Sequence, residues 1–168
     1  MPHSYDFFNN DVKDFVYTSF PSGAKILDVG CGAGKYGKLL KERYSVDALE
    51  VFEPYIKEFN LNSIYQNVYN KNVKDLTLSE GQYSLAIMGD ILEHLTVGEA
   101  QAVVDNFTRN KVSLLVLVPY SYPQGIMHDN EHEIHQQPDL TEAIFNERYP
   151  NFIKIFGNTR QGVFYKRG

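Results

Sequence analysis

Four glycines, Gly30, Gly32, Gly34 and Gly37, fall between the apolar run 25–29 and a segment of helical pattern. Glycine accepts positive φ and lets backbone come close to a ligand, so a glycine turn between strand and helix suits a charged small molecule. Acids flank the turn. Asp28 precedes Gly30 by two residues, and Glu50 follows it by 20. Further on, Asp90, Glu93 and His94 stand at i, i+3 and i+4, one face of a helical turn if one starts there. With one more histidine they would make an oxygen/nitrogen site for a divalent cation. That histidine has sources: three of the five, His128, His132 and His135, lie in residues 119–138. A histidine there can also act as a general base.

Three glycine motifs compete for the turn. A phosphate loop requires GxxxxGK followed by Ser or Thr. Here Val29 occupies the place of the first glycine and Tyr36 follows the lysine, so that motif is excluded. The dinucleotide pattern GxGxxG is literally present from Gly32 to Gly37. Its register is wrong, because Gly30 already ends the strand and Asp28 would face a pyrophosphate. The remaining pattern, Asp28-x-Gly30-x-Gly32-x-Gly34, resembles the first motif of class I S-adenosylmethionine-dependent methyltransferases. The resemblance implies that Gly30, Cys31, Gly32 and Gly34 wrap the methionine end of that cofactor. The helix start would face its carboxylate, and Asp28 its ammonium.

The same resemblance extends over residues 24–118. It implies that Glu50 receives the two ribose hydroxyls in a bidentate, charge-assisted arrangement. Asp47 competes for that role but lies early in its strand, away from the carboxyl end where ligands bind. Val51 and Phe52 follow Glu50; Phe52 packs either on the adenine or in the core. Asn72 stands where relatives often carry an acid toward the adenine amine, and Val73 could offer its N–H to the ring. Residues 83–95 resemble the family's strand and loop ending in LEHL, so Met88, Gly89, Asp90 and Ile91 are expected to line the cofactor. No Pro-Pro-aromatic motif stands at this strand end, which disfavours a DNA amino-methyltransferase.

The acceptor side is expected in the loop 119–138, which is long for a compact domain. His135, or else His132, is the candidate base or acceptor-orienting residue. Asp90, Glu93, His94 and a loop histidine are the candidate metal site, secondary to S-adenosylmethionine as cofactor. Tyr5, Phe7 and Phe8 either form a lid or pack the first helix.

These residues need elements to hold them. Apolar periodicity predicts helices over 6–20, 34–44, from Pro54, over 96–108 and from 139–142 to 148. Strands are predicted over 25–29, 46–52, 64–69, 83–88, 112–118, 152–156 and 163–166. Strand-helix alternation through the fifth strand means an α/β fold with a doubly wound, mostly parallel seven-stranded sheet. The last two strands are joined too tightly for a crossover and form a C-terminal antiparallel hairpin. One domain over 1–168 is expected, with 1–23 as an amino-terminal helical segment.

Composition agrees. The chain has 168 residues, 43% hydrophobic and 22% charged, with net charge −5. No Lys/Arg cluster appears, which argues against a nucleic-acid partner. The single Cys31 excludes an internal disulfide and fits a reducing compartment. The amino terminus lacks basic and apolar leader regions, and no apolar run reaches a membrane span. A cytoplasmic enzyme acting on a small-molecule acceptor, at oxygen, is the expectation. A non-catalytic S-adenosylmethionine-binding or partner-regulating module is the alternative, and no feature fixes an oligomeric state.

Overall fold

The computed structural model describes residues 5–168. In chain order the elements are α1 (Asn9–Ser19), β1 (Lys25–Val29), α2 (Lys35–Leu40), β2 (Ser45–Glu50), α3 (Glu53–Glu58), β3 (Val68–Asn70), β4 (Leu85–Gly89), α4 (Val97–Arg109), β5 (Ser113–Pro119), α5 (Glu142–Arg148), β6 (Ile153–Gly157) and β7 (Gln161–Lys166). The strands form one sheet in the order β3-β2-β1-β4-β5-β7-β6. The first five are parallel, and β7 pairs antiparallel with both β5 and β6. The chain winds outward from β1 to one side and from β4 to the other. That reversal opens a crevice at their carboxyl ends, where ligands of such sheets bind.

Apolar runs become buried strands because both faces are covered. All seven residues of β5 are buried, as its lack of alternation requires. Phe107, Phe145 and Phe164 fill the core on one face, and Val12, Val16, Ile26 and Leu40 fill it on the other. The predicted capping box opens α4: the Thr96 hydroxyl accepts the Glu99 N–H, and Glu99 accepts the Thr96 N–H at 2.9 Å.

Several boundaries differ from expectation, four of them with a structural cause. The strand expected over 64–69 starts only at Val68, because Ile64 and Tyr65 turn inward beneath the glycine turn. The helix expected to reach Tyr44 ends at Leu40, and the Tyr44 hydroxyl donates instead to the Val16 carbonyl at 2.9 Å. The first helix begins at Asn9, with Phe8 packed on Phe156 of β6. Thr141 caps α5 by accepting the Ile144 N–H, while Asp139 pairs with Arg148. No helix among the described residues is long and apolar enough to cross a membrane.

Candidate functional site

Two adjoining cavities, of about 380 Å³ and about 90 Å³, open at the carboxyl ends of β1, β2 and β4. Gly30, Val51, Ile91, His94 and His132 border both. The glycine turn forms the wall between β1 and α2. Gly30 has φ +64°, and a Cβ there would lie 2.0 Å from the Ile91 side chain, so the turn and the β4 exit close on each other only without it. Gly37 serves another need. A Cβ at Gly37 would sit 2.3 Å from the Tyr65 ring. Its absence seats Tyr65 beneath the turn, where the hydroxyl donates to Asp28 Oδ2 at 2.5 Å and accepts the Gly37 N–H at 3.3 Å. Asp28 is 1% exposed at the edge of the smaller cavity. Burial pushes its carboxyl up to about 7, against the lowering effect of the Tyr65 bond.

Glu50 ends β2 with its carboxylate in the smaller cavity, where Oε2 accepts the Gly32 N–H at 3.0 Å and Oε1 the Phe52 N–H at 2.9 Å. Burial raises its pKa while the two amides lower it. Each oxygen keeps a further lone pair for a donor. Asp47, the competitor, faces elsewhere and accepts from Asn67 and the Tyr83 hydroxyl. Phe52 packs on Tyr55 at 4.8 Å and lines neither cavity, so the adenine-wall expectation falls to its neighbours. Val51, Asn72 and Val73 border the larger cavity, with the Asn72 side chain already accepting the Lys74 N–H at 3.0 Å. Cys31 borders the smaller one, its thiol pushed up by burial; Gly34 borders neither.

At the β4 exit, Gly89, Asp90 and Ile91 line the smaller cavity as expected, whereas Met88 is fully buried in the core. Gly89 leaves room for the Tyr36 ring, 2.5 Å from where its Cβ would be. Asp90 adopts φ +58° and accepts from Gln161 Nε2 at 2.8 Å. Burial lifts its carboxyl to about 6. The segment after it forms a 3-10 turn, Leu92–His94, rather than an α-helical one. The cluster that does assemble is Glu93, His94 and His135.

The loop after β5 delivers His135. It is knit to the 92–95 turn: Gln136 and Gln137 donate their N–H groups to the Glu93 carbonyl, and buried Gln137 donates through Nε2 to the Leu92 and Leu95 carbonyls. Its 3-10 turn, Glu131–Glu133, roofs the smaller cavity, and the Tyr55 hydroxyl of α3 donates to Glu133 at 3.2 Å. His135 is 9% exposed and lines neither cavity; its ring lies 4.6 Å from that of His94, which lines both. Burial holds His94 down to about 4 and lowers His135 as well. The amino-terminal aromatics reach the same edge. Tyr5 packs on Tyr122 and accepts from Lys35 Nζ at 2.7 Å. Tyr65, Tyr55 and Gln161 went unread in the sequence, since none belongs to a motif.

Residues 26–110 match the family profile described as a methyltransferase domain. The chain belongs to the class I S-adenosylmethionine-dependent methyltransferases. Solved structures share this methyltransferase's fold across nearly its whole length. An S-adenosylmethionine-dependent methyltransferase from Clostridium acetobutylicum is 9% identical with TM-score 0.73, over 99% of this chain and 93% of that one. The 1,6-didemethyltoxoflavin-N1-methyltransferase of Burkholderia thailandensis, solved with 1,6-didemethyltoxoflavin and S-adenosylhomocysteine, is 14% identical with TM-score 0.71, over 96% and 78%. Magnesium protoporphyrin IX methyltransferase from Synechocystis, solved with S-adenosylmethionine, is 16% identical with TM-score 0.65, over 94% and 77%. No curated protein matches the sequence. The enzyme uses S-adenosylmethionine as its methyl donor.

Proposed function

We propose that the two cavities hold S-adenosylmethionine and that the methyltransferase acts on a small-molecule acceptor, at oxygen. The residues present fit the cofactor. When ionised, Asp28 and Glu50 are acceptor-only carboxylates at two places along the cleft, suited to an ammonium and to a pair of hydroxyls. Val51, Val73 and Leu95 give the larger cavity an apolar wall for a ring, with Asn72 at its edge. When bound, the cofactor supplies a methyl group already activated on a sulfonium.

The protein's part is then to bind, orient and exclude water. Glu50 would fix the ribose, and Asp28, held by Tyr65, would fix the ammonium. Gly89, Asp90 and Ile91 would border the methyl-bearing centre, under the roof of residues 130–133. His94 presents its ring to the cleft, and His135, behind it, positions that ring. On this reading His135 orients the acceptor through His94.

The observation that carries the acceptor reading is the Glu93, His94 and His135 cluster at the cleft's edge, a group suited to handling an acceptor hydroxyl. The family neighbours named for a small nitrogen heterocycle and a porphyrin support the size class of the acceptor. The test is a panel of small hydroxyl, amine and carbon acceptors incubated with the full chain and a radiolabelled methyl donor. Label in a hydroxyl acceptor, lost in His135→Ala, is the expected result. Transfer only to amines or to a macromolecule contradicts it.

A further inference from the structure

The turn after β4 and the loop after β5 meet at three side chains that cofactor binding leaves unused. One ligand atom from each of Glu93, His94 and His135 lies within 4.8 Å of the others. Glu93 is 1% exposed, and among the described residues neither of its carboxylate oxygens has a hydrogen-bond partner. A buried carboxylate left unmatched costs several kcal/mol, of order 3–5 when a partner charge is missing. Such a group calls for a proton or a cation to complete it.

The two histidines favour a cation. His94 Nδ1 lies 3.4 Å from the Ile134 carbonyl, and His135 Nδ1 lies 2.5 Å from the Tyr122 carbonyl. A carbonyl oxygen only accepts, so each Nδ1 carries the hydrogen and each Nε2 keeps its lone pair. A backbone carbonyl on one ring nitrogen, fixing the tautomer and freeing the other, is how metal-ligating histidines are held.

We propose that Glu93, His94 and His135 form a binding site for one divalent transition-metal cation. Two imidazoles and one carboxylate suit zinc, cobalt, manganese or iron rather than magnesium or calcium, which prefer all-oxygen sets. Ligands at about 2.1 Å from a common ion require a contraction of roughly 0.7 Å each from the observed spread. Asp90 is not part of the set, since Gln161 already holds it. The inference deepens the acceptor reading and rests on it for its role. His94 borders the cleft, so the ion's open positions would face the acceptor side, where a bound hydroxyl would become more acidic and better placed.

Chelator-stripped full-length protein, titrated with Co²⁺ and with Zn²⁺ by calorimetry, tests the site, with the visible Co²⁺ bands as a second readout. One ion per chain is expected. Altering residues around a metal's own ligands already costs about 10–100-fold in affinity, so Glu93→Gln and His135→Ala should each cost at least ~100-fold. His128→Ala should cost nothing. Thermal melts establish that each variant is folded, and His135→Gln replaces His135→Ala if the latter is not. Absence of saturable binding, or binding that survives Glu93→Gln, overturns the proposal and leaves Glu93 completed by a proton. S-adenosylhomocysteine titrated into the same stripped protein separates the two readings. Retained nucleoside binding without cation binding sinks only the metal site; absent nucleoside binding sinks the cleft assignment.

Discussion

At the glycine turn, burial and Tyr65 pull the charge of Asp28 in opposite directions. The Tyr65 hydroxyl is the side-chain donor to the fully buried Asp28, whose carboxyl burial lifts from 3.8 to about 7. The folded protein therefore holds a proton that the unfolded chain has lost between about pH 4 and 7. Stability falls as pH rises through that window, by an amount on the order of 4 kcal/mol for this group, and levels above it. Cofactor affinity should move the other way, because ionised Asp28 is the form that attracts an ammonium. In Tyr65→Phe the carboxylate loses its donor, so melting above pH 7 should fall by roughly 1–3 kcal/mol equivalent. The rise of cofactor affinity with pH should shift upward in the same variant. Calorimetry at pH 6 and 8 checks this, and parallel behaviour of variant and parent at both values would contradict it. At this scale Asp28 and Glu50 were legible, because charged residues at fixed distances from glycines have few other uses. Tyr65 was hidden in a segment whose apolar residues read as a strand. Phe52 could be read on either surface; the fold packs it on Tyr55, away from both cavities.

Among elements, α2 is where helix propensity and packing disagree. Alanine is favoured over glycine inside a helix by about 1 kcal/mol. Gly37→Ala should nevertheless destabilise the protein by roughly 1–3 kcal/mol, since the new methyl would meet the Tyr65 ring at 2.3 Å. Chemical denaturation measures it, and a stabilised variant would show that Tyr65 is free to move. The long strands were legible: β5 is apolar from Leu114 to Val118 because it is covered on both sides. The third strand was not, as Ile64 and Tyr65 are apolar to pack under the turn rather than to form sheet. The loop after β5 reads as the acceptor side, with no sign of what it packs on. Its glutamines and Glu133 bond back to the 92–95 turn and to Tyr55, long-range contacts that no local pattern announces.

For the whole molecule, the reversal of strand order between β1 and β4 gathers the candidate site residues. The turn after β1, the acid ending β2, the exit of β4 and the loop after β5 all meet at one edge of the sheet. This much follows from alternation and strand-end motifs, so the cofactor was legible. The acceptor was not, because the loop residues proposed to meet it come together only through the fold. The most direct test of the account is calorimetric titration of the full chain with S-adenosylhomocysteine, beside Glu50→Ala checked for folding by its melt. Two charge-assisted hydrogen bonds of about 1.5 kcal/mol or more each rest on Glu50, so the account predicts stoichiometric binding that weakens at least ~100-fold in the variant. No binding to the parent protein, or equal binding to the variant, would contradict it.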